Sequence, residues 1–290
     1  MPAATMRKAK PGVNAKLVER RKARDRIARM AAWTATGISL GFLLSILFTL
    51  FRLGFSGLSL HMFATVTRPP GSHGGLANAV LGSILQSALG TAIGTPIGLM
   101  VGTYLAEYGE QTWLANAVRF VSDILLSAPS ILIGLFVYQV VVAPLGGFSG
   151  WAGACALAII VIPIVVRTTE DMLRLIPISL REAAIALGAP RWRSIVFVCY
   201  RAAREGILTG VLLAVARVSG ETAPLLFTSL GNSDFSGLNS AMSSLPVTIY
   251  QYAASAFDDW VQLAWTGALL ITLGVLSINI VARMLIRGRE

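Results

Sequence analysis

Apolar residues along this chain form long uninterrupted runs, separated by short polar segments in which nearly all the charge is bunched. Crossing about 30 Å of hydrocarbon takes roughly 20 helical residues. Lipid offers no partner to a bare backbone, so runs of that length are expected to be helices. The period-2 alternation of a membrane barrel is absent. Six spans are predicted, at about 30–51, 77–105, 124–143, 151–166, 206–228 and 261–282. The stretch 124–166 carries no charge and is long enough for two spans; the turn signal Pro144-Leu-Gly-Gly-Phe-Ser-Gly150 divides it. Pro96, Pro129 and Pro163 are expected to bend the spans they occupy. The second span is rich in small residues (Gly82, Ser83, Ser87, Gly90, Gly94, Gly98), the type that lets helices approach closely in lipid.

The polar segments give the organisation. Residues 1–29 form a basic arm with Lys8, Lys10, Lys16 and the cluster Arg20 to Arg29, read as a positive anchor. Residues 30–290 form the transmembrane domain, and 167–205 is its one long polar loop, with seven arginines. A short loop after the second span holds Glu107, Glu110, Arg119 and Asp123. Glu107 and Glu110 are spaced for a shared site, but with no nearby histidine they read as a solvated face. With the N-terminus inside, 21 of the 24 Lys and Arg fall on the inner side and two on the outer, which predicts cytoplasmic termini. The excess of positive charge therefore reads as membrane orientation and not as nucleic-acid binding. With 13% charged residues against about 25% in soluble domains, the chain is read as an all-α polytopic membrane protein. Cys155 and Cys199 read as free thiols without metal spacing, and His61 and His73 have no ligand partner in spacing. No cofactor or metal site is predicted. A P-loop requires a lysine, and the last lysine is Lys22, so ATP hydrolysis by this chain is not expected.

Two segments carry mechanism. In the long polar loop, 181–187 is a good helix former that should stop at Gly188, with Pro190 just after it. A second helix is predicted over about 191–204. Together they make an elbow with an apolar side (Ala183, Ala186, Leu187, Ile195, Val198) and an arginine-rich side. In the fifth span, Arg217 and Glu221 are spaced i, i+4 and share a helix face. An ionised side chain at a helix centre costs roughly 2.5–3.5 kcal/mol on insertion scales, so that face should meet a bundle interior or a water-filled path. Pro224 should break the backbone ladder one turn further on. A structural ion pair that only fixes packing is the competing reading of the same two residues.

The elbow, Glu182-Ala-Ala-Ile-Ala-Leu-Gly188, resembles the EAA loop of ABC-importer permeases, the segment that docks into the ATPase subunit. Glu182, Ala183, Ala184 and Gly188 fall on the matching positions, with Arg191 just beyond. The chain departs from the family downstream, having Tyr200-Arg201 and Glu205 where members often carry prolines. Gly220-Glu-Thr-Ala-Pro-Leu-Leu-Phe227 is similar to the A-type permeases of phosphate ABC importers. So are Gly94-Thr-Pro-Ile-Gly98, Tyr104-Leu-Ala-Glu-Tyr-Gly109, Ser127-Ala-Pro-Ser-Ile131, Gly134-Leu-Phe-Val-Tyr138 and Ser244-Leu-Pro-Val-Thr-Ile-Tyr250, over roughly 78–282 in all. The resemblance implies a type I ABC-importer permease fold in a bacterial inner membrane, with 167–205 as the coupling loop. It implies a complex with a second, PstC-type permease subunit, an ATPase dimer and an extracytoplasmic phosphate-binding protein. It also implies translocation of inorganic phosphate past Arg217, Glu221 and Thr222. Permeases for sulfate, molybdate or phosphonate stay open, and so, at greater distance, do a secondary carrier and a membrane enzyme. The external segment Ser244 to Tyr250 reads equally as a re-entrant helix facing the binding protein and as ordinary interfacial belt.

Overall fold

No glycine or proline interrupts residues 15–36, and most of that stretch is strong helix former (Ala, Lys, Arg, Leu, Glu, Met). In the computed structural model, which describes residues 15–72, 74–109 and 112–287, it opens one long helix, α1 (Ala15–Ser56). The basic residues Arg20 to Arg29 are therefore an extension of the first membrane helix and not a separate arm, and Asp25 pairs with Arg29 one turn away. Lys8, Lys10, His73, Glu110 and Arg289 lie outside the described residues. The chain divides into two units, residues 1–51 and 52–290.

The regular elements of the second unit are helices, and no strand occurs among the described residues. A short α2 (Leu60–Ala64) leads to α3 (Ala77–Glu107). Next come α4 (Trp113–Ser127), α5 (Ser130–Val137), a π-helical turn at 138–142 and α6 (Ala143–Leu145). The long α7 (Gly150–Arg174) is followed by α8 (Ile178–Ala186), α9 (Arg191–Arg193), a second π-helical segment at 194–199 and α10 (Tyr200–Val218). The chain closes with α11 (Ala223–Thr228), α12 (Leu245–Ala253) and α13 (Asp258–Arg287). Among the described residues, four helices are long and apolar enough to cross a membrane, those at 19–56, 77–107, 150–174 and 258–281, and the bent pair α4 with α5–α6 allows a fifth.

Three departures from the expected spans have local causes. The third begins earlier, at Trp113, because Thr112 caps the helix by accepting the Ala115 N–H at 3.2 Å. It then turns through 106° at Ala128-Pro129, where proline cannot continue the ladder. The fourth runs eight residues beyond 166, carried by the i, i+4 pairs Arg167–Asp171 (3.5 Å) and Glu170–Arg174 (2.8 Å). The fifth is not one helix: α10 ends at Val218 and α11 restarts at Ala223.

Helix α7 is the shaft of the unit, with Leu157, Ile160, Val161, Ile164 and Val165 in its main core. What brings α3 against it is a glycine every fourth residue. A Cβ added at Gly90, Gly94, Gly98 or Gly102 would lie 2.6–2.8 Å from the Cβ of Leu157, Val161, Val165 or Thr169 respectively. Lipid gives helices no hydrophobic reason to associate, so close backbone contact of this kind supplies the attraction. Pro96 and Pro163 both sit inside continuous helices.

The opposite end of the shaft from α8 is tied by Asn78. Its amide donates to the Asn232 carbonyl (2.8 Å) and accepts the Thr67 N–H (3.0 Å), joining the segments before α3 and after α11. Between them α12 is tucked inward: Leu245, Pro246, Val247 and Thr248 are buried, Tyr250 is exposed, and Tyr252 stacks on Trp260 at 4.4 Å. The segment from Ser244 is therefore a packed helix and not a surface belt.

Candidate functional site

The break in the fifth span follows from Gly220 and Pro224. Proline lacks the N–H that would bond the Gly220 carbonyl, and its ring would clash with it, so the helix stops a turn earlier and Pro224 becomes the second residue of α11. The interruption thus falls between Arg217 and Glu221 and not beyond them. Arg217 closes the last turn of α10, and Glu221 lies in the unwound link. Their Nε and Oε1 atoms are 3.6 Å apart, an ion pair too long for a hydrogen bond. The Arg217 side chain is 42% exposed and that of Glu221 15%. Thr222 caps α11 through its carbonyl, which accepts the Leu226 N–H at 3.0 Å. The restart is held rigidly: a Cβ at Gly134 on α5 would sit 2.7 Å from Pro224 Cα, and Leu225 is buried in the core of α7. Chemically, this is a guanidinium in an apolar span whose carboxylate partner is close enough to neutralise it but not bonded to it. Another oxyanion can take the carboxylate's place without a hydrogen bond having to break.

At the end of the unit where α7 ends, the first helix of the elbow runs over 178–186, starting three residues earlier than the expected 181–187, and turns at Gly188. Gly188 adopts φ +81°, a left-handed conformation that side chains disfavour, and the Ala189 N–H bonds back to the Ala184 carbonyl at 3.2 Å. The expected apolar underside holds in its second half, where Ile195 is buried and Val198 partly so, and differs in the first. Ala184 is the buried residue, whereas Ala183, Ala186 and Leu187 are exposed, together with Glu182 and Gly188. Leu187, at 89% exposure, projects from the turn. The second helix is continuous with the fifth span: α9, the π segment and α10 run from Arg191 to Val218 without a gap, as the missing prolines allow. Tyr200, in one of those positions, instead hydrogen-bonds the Thr103 hydroxyl on α3.

What fixes the elbow was missed from sequence. Glu107 is not on a solvated face. Its side chain is 6% exposed and pairs with Arg181 at 2.8 Å, and Arg181 also donates to the Leu173 (2.6 Å) and Ile176 (2.9 Å) carbonyls. Burial opposes the charge of Arg181, but the hydrogen bond and charge of Glu107 outweigh it and raise its pKa above the ordinary value. Arg191 bonds the Glu107 carbonyl and lies over the Tyr108 ring at 4.5 Å, so it is tied to the end of α3 while staying exposed. Beside this latch, Glu170, with a side chain 3% exposed, joins Arg119 and Arg174, each at 2.8 Å. The one sequence signal for these contacts was the i, i+4 spacing of Glu170 and Arg174. Among the described residues, no cluster of His, Cys, Asp and Glu could hold a metal.

Comparisons with known proteins agree with this architecture. Residues 94–290 match the family model described as binding-protein-dependent transport system inner membrane component. A phosphate transport system permease protein PstA of Pasteurella multocida is 55% identical over 265 residues, covering 91% of this chain and 95% of that protein. The PstA of Haemophilus influenzae is 55% identical over 271 residues, covering 93% and 96%. PstA 1 of Mycobacterium tuberculosis H37Rv is 35% identical over 285 residues, covering 95% and 92%. Among solved structures, a chain of the inward-facing MetNI methionine ABC transporter superposes with a TM-score of 0.64 at 20% identity, covering 80% of this chain and 100% of that one. A bacterial ABC transporter importing the acidic polysaccharide alginate gives 0.67 at 13% identity, covering 94% and 99%. These two share the fold. With its helical membrane spans, its elbow and relatives matching over nearly the whole length, this chain belongs to the binding-protein-dependent transport system inner membrane components, among the PstA-type permeases.

Proposed function

We propose that this chain is the membrane-spanning permease subunit that passes inorganic phosphate inward through an ATP-driven importer. The observation that carries the reading is the Arg217–Glu221 pair, unbonded at 3.6 Å across a break in a membrane helix, in a chain whose relatives are phosphate transport permeases. An arginine so placed attracts an oxyanion, and the adjacent carboxylate limits how long it stays. In this reading a PstC-type permease faces α10, an ATPase dimer receives the elbow, and an extracytoplasmic phosphate-binding protein delivers the ion. ATP is hydrolysed by the separate ATPase subunits. Both termini lie in the cytoplasm, as the charge asymmetry requires. The test is uptake into proteoliposomes holding the whole complex and its binding protein. ATP-dependent accumulation of labelled phosphate, not displaced by excess sulfate or molybdate, is expected. Accumulation of another oxyanion in its place would overturn the reading.

In this reading docking of the elbow rests on Glu182, Ala183, Ala184, Gly188 and Arg191. Glu182, Ala183 and Gly188 are exposed, Ala184 is buried, and Arg191, also exposed, is tied to the Glu107 carbonyl. Replacing Gly188 by valine places a β-branched residue at φ +81°, and the left-handed penalty of about 1–2 kcal/mol acts on a turn presented to the partner. The expected result is membrane insertion at the normal level with loss of ATPase copurification. Normal copurification would remove the turn from the docking surface.

A further inference from the structure

Helix α10 carries a second pattern besides its ion pair. Glu205, Thr209, Leu213 and Arg217 recur at every fourth residue, and Glu221 continues the series past the break. Residues four apart adjoin along an inclined ridge, each about 6 Å further along the axis. Glu205, Thr209, Leu213 and Arg217 are all exposed, and the face that begins beside Arg217 (Ala203, Ile207, Gly210, Ala214, Val218) is buried. Arg217 is a charge inside the span, and a face that carries one does not meet acyl chains. Nor does it read as a tight seam between helices, which would favour small residues: Leu213 is bulky and 59% exposed. It is the one apolar side chain in the ridge, with Thr209 about 6 Å to one side and Arg217 about 6 Å to the other.

We infer that Leu213 is a hydrophobic gate in the anion path, an apolar collar that separates the Arg217 site from the polar stretch at Thr209 and Glu205. An apolar constriction closes a path by excluding water, and a hydrated anion cannot follow until the walls separate. The leucine thus supplies what the charged pair cannot: a barrier to leak when no ATP is bound. The inference rests on the reading that this face of α10 lines the phosphate pathway, with the second permease forming the opposite wall.

The test uses the assembled complex in proteoliposomes loaded with labelled phosphate, without ATP. Leu213→Ala and Leu213→Ser are expected to raise passive efflux roughly tenfold or more, because about three methylene-sized groups leave the apolar wall. Leu213→Phe should stay tight and slow ATP-driven uptake. Wild-type efflux from assembled Leu213→Ala and Leu213→Ser complexes would overturn the gate. So would loss of the complex in both variants while Leu213→Met assembles, since that would place the side chain in a subunit contact. If efflux is unchanged while Arg217→Ala still abolishes uptake, the gate alone fails. If neither substitution changes transport, the pathway reading fails with it.

Discussion

Arg217→Ala complexes are expected to assemble, insert and hydrolyse ATP, and to import phosphate roughly 10²-fold more slowly, the scale set by loss of one preorganised oxyanion donor. The side chain makes no bond that the fold depends on: its partner sits 3.6 Å away and its guanidinium is 42% exposed. The rigidity of the site comes from Gly134 against Pro224 and from buried Leu225, none of which involves Arg217. A purely structural pair predicts the opposite, a complex that falls apart while its residual activity per assembled unit is normal. Arg217→Lys should recover part of the rate, because a point charge replaces a planar fork. Labelled-phosphate uptake and subunit copurification on the same preparation separate the two cases. Wild-type uptake by Arg217→Ala would leave only a packing role. As a second check, Arg217→Cys in a background lacking Cys155 and Cys199 should react with a water-soluble thiol reagent in some state of the ATP cycle.

Gly98→Leu should have the largest effect on the protein itself. The Cβ alone would lie 2.6 Å from Val165 Cβ and 3.1 Å from the Ile162 carbonyl, both on the buried shaft, so neither can move aside cheaply. Overpacking usually costs about 1–3 kcal/mol. Here four branched carbons must enter a contact made by a glycine in a row of four, and the cost should lie at or above the top of that range. Membrane-inserted protein resistant to mild heating in detergent should fall at least roughly tenfold, the factor that about 1.4 kcal/mol represents. Gly37→Leu is the matched control, since nothing lies within 4 Å of its Cβ position. Equal survival of the two variants would show that the α3–α7 contact is not what holds the unit together.

The close approach of α3 was legible from its wealth of small residues, but the four-residue period and Gly102 stand out only once α7 is seen to pack along it. The Arg217–Glu221 pair was legible because charge inside an apolar run is costly enough to demand an explanation. The break between those two residues was placed one turn too late. Proline disturbs the carbonyl four residues before it, so the interruption belongs at Gly220 and not at Pro224 itself. The Glu170–Arg119 contact was not legible, since its residues lie 51 positions apart and meet only after α4 folds back over α7. Glu107 failed for the converse reason: its surroundings come from an elbow 74 residues away. The 106° bend falls at Pro129, where the proline had announced it, although not its angle; the two π segments carry no such local mark in the sequence.

From Arg191 to Val218 the chain is one unbroken helical rod, about 39 Å from the elbow to Arg217 at 1.5 Å per residue. Its lower end carries a wide turn at 194–199, which sets the angular phase of everything above it. Removing a single residue from that turn would rotate Arg217 about 100° around the axis relative to the elbow. The rod resembles a key whose bit and bow are cut at a fixed angle: no non-helical break separates the elbow from the charged tip, so turning one end turns the other.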